Sequence, residues 1–79
     1  MAIELYDGRG NISIAAGKKI KELLRNKCGS LGAFCRTRGF NYNMFTQWLG
    51  GFKKSPDQDR YLHAIKQVAG VEDINEWLQ

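Results

Sequence analysis

Glycines divide this 79-residue chain into short segments, and that division limits what the chain can fold into. Within most segments, apolar residues recur every three or four positions, as on the buried face of an amphipathic helix. Gly29, Gly39, the Gly50–Gly51 pair and Gly70 each stand where such a segment ends, and glycine is common just after a helix C-terminus. The sequence therefore predicts a single all-α domain, a compact bundle of about five short helices.

Capping residues mark the starts of the same segments. Ser13, Ser30 and Asn41 are good N-caps and predict helices at roughly 14–27, between Ser30 and Gly39, and at about 42–49. Ser55 is predicted to cap the fourth helix, with Pro56 in its first position, where the missing N–H costs nothing. The side chains predicted to face the core are Ile20, Leu23 and Leu24 in the first helix, Leu31, Phe34 and Cys35 in the second, and Leu62, Ile65, Val68 and Ala69 in the fourth.

The two ends of the chain are predicted to flank the main helical part, which spans residues 14–70. Residues 1–13 contain two short β-prone runs around an Asp-Gly-Arg-Gly loop, and they predict either a hairpin or a flexible arm. Residues 71–79 predict a last short helix or turn. Its apolar side chains are either packed on the chain's own core, which we favour, or part of a dimer contact; they are Ile74, Trp77 and Leu78.

Charge is distributed unevenly along the chain. Residues 9–54 carry ten basic side chains and a single acid, Glu22, whereas residues 55–79 carry two basic and five acidic groups. A basic block of this kind is typical of a domain that binds a polyanion. The solvated face of the first helix is an equally good explanation for Lys18, Lys19 and Lys21.

Several function classes fit the composition poorly. Cys28, Cys35 and the single histidine, His63, do not have the spacing of a zinc site, and no cofactor or small-molecule ligand is expected. His63 has no partner constellation and is expected on the surface, so the sequence does not predict an enzyme or catalytic residues. No apolar run is long enough to cross a bilayer, and the start lacks the pattern of a secretory signal, so we expect a cytoplasmic protein with reduced thiols.

Residues 30–51, SLGAFCRTRGFNYNMFTQWLGG, have the pattern of a helix-turn-helix, two short helices joined by a glycine-containing turn. Cys35 is small enough to lie where the two helices cross. Gly39 can supply the positive φ that a tight link needs. Four aromatic side chains are predicted to pack together and fix the crossing angle: Phe34, Phe40, Phe45 and Trp48.

Residues 17–71 as a whole resemble the lambda-repressor-like, Cro-type helix-turn-helix family. The stretch GKKIKELLRNKCGSLGAFCRTRGFNYNMFTQWLGGFKKSP is similar to the first three helices of that family without a gap. Trp48 and Gly51 resemble the tryptophan and glycine that end its recognition helix, and LHAIKQVAGV resembles its fourth helix. The chain departs from the family pattern at five positions, which are Leu24, Gly29, Leu31, Arg38 and Leu49. Arg38 replaces an apolar residue, so its charge is expected to reach solvent along the surface.

The resemblance implies a bacterial, phage or mobile-element transcriptional regulator, a repressor located in the cytosol or nucleoid. Such proteins bind palindromic double-stranded operators as homodimers, with the second motif helix in the major groove. Carried over to this sequence, the residues implied to contact bases are Tyr42, Asn43, Met44, Thr46 and Gln47. Those implied to contact phosphates are Ser30, Asn41, Lys53 and Lys54.

A second class of function uses the same fold without independent DNA recognition. An antitoxin-like or other partner-binding module would present the uncharged helix at 42–49, with Tyr42, to a protein. RNA binding is a further use of the same fold. Binding to duplex DNA that weakens steeply with salt would separate the DNA-binding hypothesis from the protein-binding one.

Overall fold

The computed structural model describes residues 3–79, and it confirms the all-α class. Its five helices are α1 (Ile14–Cys28), α2 (Leu31–Arg38), α3 (Tyr42–Leu49), α4 (Gln58–Ala69) and α5 (Ile74–Leu78). α1 packs against both α2 and α4, α2 packs against α3, and α5 packs against α4. No helix in residues 3–79 combines the length and the apolar character that a membrane span requires.

Three of the predicted N-caps are confirmed. Ser13 Oγ accepts a hydrogen bond from Ala16 N at 3.1 Å, and Ser30 Oγ accepts one from Ala33 N at 3.0 Å. Asn41 caps α3 in the same way. Gly39 has φ 73°, in the left-handed region, as the turn between α2 and α3 requires.

The predicted start of α4 is wrong by about two residues. Ser55 Oγ accepts a hydrogen bond from Asp57 N at 3.1 Å, so Ser55 stabilises a turn that precedes the helix. Pro56 lies in that turn rather than in the first helical position. The N-cap position belongs to Asp57, whose carbonyl accepts a hydrogen bond from Tyr61 N at 3.0 Å.

The N-terminal segment folds back on itself as a hairpin with a single antiparallel bridge, between Tyr6 and Ile12. Ser13 N donates to the Leu5 carbonyl at 2.9 Å, and both Leu5 and Ile12 are buried in the core. Of the two predicted alternatives for residues 1–13, the hairpin therefore describes residues 3–13. Met1 and Ala2, which complete that predicted segment, lie outside the described residues.

The core-facing predictions are confirmed for α2 and only partly for α1 and α4. Leu31, Phe34 and Cys35 are all buried. In α1, Ile20 and Leu24 are buried, whereas Leu23 is half-buried. The buried face of α4 consists of Tyr61, Ala64 and Ile65, while Leu62, Val68 and Ala69 are half-buried. The prediction was right for Ile65 and missed Tyr61 and Ala64. Tyr61 was missed because the sequence pattern was read from aliphatic side chains, although a tyrosine ring is also apolar.

α1 and α3 approach each other closely at Gly17. A Cβ atom at this position would lie 2.6 Å from the carbonyl oxygen of Leu49, closer than any side chain can be accommodated without a backbone shift. Gly17 is buried within α1, so hydrogen takes the place of a side chain where the two helices meet. This contact sets the distance between α1 and the end of α3.

We expect Gly17→Ala to destabilise the fold, although alanine is the better helix former by about 1 kcal/mol. The new methyl group would meet backbone atoms, and overpacking of this kind costs about 1–3 kcal/mol. Gly32→Ala is the matched control, because a Cβ there would meet its nearest neighbour at 3.9 Å, an ordinary contact. Thermal unfolding should show a lower Tm for Gly17→Ala and an unchanged or higher Tm for Gly32→Ala. Equal Tm values for the two variants would contradict the close approach.

Candidate nucleic-acid interface

α3 has one buried face and one exposed face. Phe45, Trp48 and Leu49 are buried to within 2% exposure, so they attach the helix to the core. The predicted base-contacting residues lie on the other face. Asn43 and Gln47 are exposed, Tyr42 is 50% exposed, Met44 is 46% exposed, and Thr46 is half-buried. The structure therefore brings all five together on one helix, with Thr46 at the margin.

Thr46 is the weakest of the five candidates for a base contact. Its hydroxyl donates to the backbone carbonyl of Asn43 at 3.1 Å, which satisfies the donor within the helix. The side chain can still present its methyl group or an acceptor lone pair.

Aromatic packing fixes the angle between α2 and α3. The ring of Phe34 in α2 lies 5.3 Å from that of Phe45 in α3, and Phe40 in the turn lies 5.9 Å from Phe34. Phe40 N also donates to the Cys35 carbonyl at 2.8 Å, which ties the turn to the end of α2. Burial raises the pKa of the Cys35 thiol, so the group stays protonated and packs as a small apolar residue.

The predicted phosphate contacts at the helix starts are exposed. Ser30 and Asn41 are N-caps of α2 and α3, and each uses its side-chain oxygen to accept a backbone N–H. The cap occupies the oxygen of the Asn41 amide, and the amide N–H groups keep their donor capacity. A helix N-terminus carries a partial positive charge, so both positions favour an anion nearby.

Lys53 and Lys54 lie beside the exposed face of α3. Together with Met44, Gln47 and Ser55 they line a depression of about 100 Å³. The Lys54 side chain also lies against the N-terminal hairpin, with its ammonium 3.4 Å from where a Cβ would stand at Gly10. The two lysines are thus close to the predicted base-contacting residues but do not stand on α3 itself.

Each of the five positions that differ from the pattern of the similar helix-turn-helix family has a defined place in the structure. Arg38 is exposed and donates to Gln67 Oε1 at 2.6 Å, so its charge reaches the surface as expected. Leu49 is buried against α1 at Gly17, and Leu31 and Leu24 are buried in the core. Gly29 ends α1 with φ 88°, while its neighbour Cys28 is half-buried against the core.

The C-terminal residues predicted as a possible dimer contact are mostly occupied within the chain. Ile74 is 6% exposed and Leu78 is fully buried, so both pack on the chain's own core. Trp77 is half-buried; Lys19 Nζ lies 4.9 Å from its ring centroid and donates to its carbonyl at 2.8 Å. A dimer contact at this end would therefore need to use Trp77 rather than the other two side chains.

The single histidine lies on the surface, as expected from the sequence. The His63 side chain is exposed, and its Nε2 atom lies 3.2 Å from Gln67 Nε2, within hydrogen-bonding distance. Within residues 3–79, no three side chains among His, Cys, Asp and Glu come together as metal ligands would.

Two exposed apolar side chains near the candidate interface were missed in the sequence. Ile14 is 77% exposed and Phe52 is 81% exposed. Ile14 stands at the start of α1 and Phe52 directly after the Gly50–Gly51 pair. A phenylalanine between a glycine pair and two lysines could have drawn attention as an apolar residue with nothing nearby to cover it.

Comparisons of the chain with protein-family models, curated proteins and solved structures find no match.

The Asn41 cap gives a test of how α3 is held. Asn41→Ala removes the oxygen that accepts the Met44 N–H at 3.0 Å and is expected to lower the free energy of unfolding by about 1 kcal/mol. Asn41→Asp retains a capping oxygen and places a negative charge at the helix N-terminus, so it is expected to keep or raise stability. Chemical denaturation of both variants checks this. Equal destabilisation by alanine and aspartate would contradict a capping role.

Proposed function

We propose that this chain is a sequence-specific double-stranded DNA-binding regulator, a repressor of bacterial, phage or mobile-element type, that reads the major groove with α3. The observation that carries the proposal is that hydrogen-bonding groups and positive charges lie on different segments at and around α3. Its exposed face bears neutral hydrogen-bonding groups, and the nearby cations stand on neighbouring segments. A duplex presents base edges at the centre of the major groove and phosphates along its margins, so the two arrangements match.

Asn43 and Gln47 are the principal base-reading residues. They are four positions apart on α3, so they stand on the same side of the helix, and both are exposed. The amide of either side chain can pair with the N6 and N7 atoms of adenine, and such a contact is worth about 1–3 kcal/mol of discrimination. Tyr42 and Met44 flank them, and a thymine methyl group is a suitable partner for Met44.

The phosphate contacts would hold α3 in register. Asn41 and Ser30 stand at helix N-termini, where backbone N–H groups and the helix dipole favour an anion. Lys53 and Lys54 supply full positive charges next to Gln47. These contacts carry affinity without base preference, whereas Asn43 and Gln47 supply the preference.

The proposed regulator acts as a homodimer on a palindromic operator. One copy presents a single short recognition helix, and a two-fold dimer would place two such helices about one helical turn of DNA apart, roughly 34–36 Å. Occupation of such an operator would block access of the transcription machinery to the promoter.

A protein-interaction module is the second candidate. The observation in its favour is the partial exposure of Tyr42 and Met44 on the same face as the amides, because aromatic residues and methionine are enriched at protein interfaces. This module would need no nucleic acid and would bind its partner through α3.

A salt titration separates the two candidates. For the regulator, we expect binding to mixed-sequence duplex DNA at low salt, with log K falling linearly with log salt at a slope of about −0.9 per phosphate contact. Fluorescence anisotropy with a labelled duplex provides the measurement, and an uncharged polymer of similar size serves as the control ligand. No detectable duplex binding at about 20 mM salt would favour the interaction module.

Selectivity and affinity should respond to different residues. On an operator selected from random duplexes, Asn43→Ala is expected to relax the preference at one base pair by about 1–3 kcal/mol. Lys54→Ala is expected to weaken operator and mixed-sequence duplexes by about the same factor and to reduce the salt slope by about 1. Binding measurements on single-base operator variants give both quantities. If Asn43→Ala changes neither affinity nor base preference, the groove assignment of α3 is wrong.

A further inference from the structure

Phe52 and Ile14 form an exposed apolar pair at the C-terminal end of α3. Their side chains are 81% and 77% exposed, and both line the two depressions between α1, α3 and the N-terminal hairpin. Exposed apolar surface rimmed by polar groups is a common feature of interaction sites.

The backbone holds Phe52 in a defined place. Phe52 N donates to the Gln47 carbonyl at 3.0 Å, which ties the residue to the last turn of α3. Its ring lies over Gly50, where a Cβ would be 2.9 Å from ring atom Cε2. Gly51 has φ 79°, and a Cβ there would lie 2.7 Å from the Ile12 carbonyl oxygen. The exposed ring is therefore positioned by packing of the backbone around the two glycines.

The surroundings of the pair are basic. Lys18 and Lys21 line the depression of about 240 Å³ on one side of Phe52, and Arg9 lines the depression of about 470 Å³ on the other. In residues 3–79 the one ion pair is that between Arg60 and Asp57, so none of these three cations is paired there.

The one acid beside these depressions is already engaged. Asp7 lines the larger depression, and its Oδ1 accepts hydrogen bonds from Arg9 N at 2.8 Å and from Asn11 N at 3.1 Å. Its carboxylate thus stabilises the hairpin turn. The surface keeps an excess of positive charge that suits an anionic partner.

Lys18 and Lys21 flank α3 on the side opposite to Lys53 and Lys54. Lys53 and Lys54 lie next to Met44 and Gln47, whereas Lys18 and Lys21 lie next to Leu49. At about 100° per residue, Met44 and the buried Leu49 are ~220° apart when measured around the exposed side of α3, so they stand at the two edges where that side meets the core. Asn43 and Gln47 lie on the exposed arc between those edges. The exposed face of α3 thus has a pair of lysines along each margin.

The two sugar–phosphate backbones border the major groove, and the groove is about 12 Å wide, so a helix within it has one backbone close on each side. We propose that Lys18 and Lys21 contact the backbone of one DNA strand while Lys53 and Lys54 contact that of the other, with Phe52 and Ile14 packed against the sugars of the first. The inference rests on the proposed function. It assigns the basic face of α1 and the exposed apolar pair to the same duplex rather than to a protein partner.

Paired lysine variants test the assignment. Lys18→Ala/Lys21→Ala and Lys53→Ala/Lys54→Ala remove the two margins separately. Lys27→Ala/Lys66→Ala is the matched control, because Lys27 is exposed near the far end of α1 and Lys66 lies beside Val71 and Glu72. Each variant is titrated with a selected operator duplex at several salt concentrations, and a Tm measurement checks its fold.

We expect each margin variant to reduce the salt slope by about 0.9 for every phosphate that its lysines would have neutralised, and the control pair to leave the slope unchanged. Single neutral methylphosphonate substitutions in each strand then locate these phosphates. In each margin variant, some methylphosphonate substitutions should no longer lower affinity, because the lysine that contacts that phosphate is already absent. Within one half-site, these phosphates should lie on one strand for the Lys18/Lys21 variant and on the opposite strand for the Lys53/Lys54 variant. Phe52→Ala should lower affinity several-fold at an unchanged salt slope, since it removes apolar surface without removing charge.

Three results would count against the inference in distinguishable ways. If the unaltered protein binds no duplex, the proposed function fails and this inference fails with it. If the protein binds duplex but Lys18→Ala/Lys21→Ala behaves like the control pair, the α1 assignment alone is overturned. If Phe52→Ala leaves DNA affinity unchanged, the apolar pair does not contact the duplex and a protein partner becomes the better explanation for it.

Discussion

The packing of aromatic rings around Phe45 is the interaction on which the rest of the structure depends. Its ring lies 5.3 Å from Phe34 in α2, 5.8 Å from Trp48 in α3, and 5.1 Å, edge-on, from Tyr61 in α4. Aromatic pairs of this kind contribute about 0.5–1.5 kcal/mol each beyond the area they bury. Three helices are therefore attached to one ring, and the direction in which α3 presents its other face follows from that attachment.

The short α3 leaves few positions for the surface, and none of them carries a charge. Phe45, Trp48 and Leu49 are committed to the core, so five of the eight positions from Tyr42 to Leu49 remain for the surface. Lysines on those positions would place long flexible cations at the centre of the face. In the structure the cations stand instead on α1 and on the segment after α3, where they surround the neutral groups without displacing them.

Local chemistry made much of the fold predictable from the sequence. The caps at Ser13, Ser30 and Asn41 and the turn at Gly39 were predicted correctly, because each depends on hydrogen bonds or dihedral angles within a few residues. The burial of Tyr61 in α4 was not predicted, because it depends on rings contributed by α3 and by the turn between α2 and α3. The start of α4 was predicted about two residues early, because the Ser55 hydroxyl caps a turn that precedes the helix.

The same distinction applies to the candidate site. Helical periodicity was sufficient to predict which side of α3 is exposed, since the buried residues are large and regularly spaced. It could not predict that Lys18 and Lys21 would lie beside Leu49, or that Phe52 and Ile14 would remain uncovered. Those neighbours are set by the close approach of Gly17 to the Leu49 carbonyl and by the hairpin carbonyl of Ile12 against Gly51, which are contacts between distant parts of the chain.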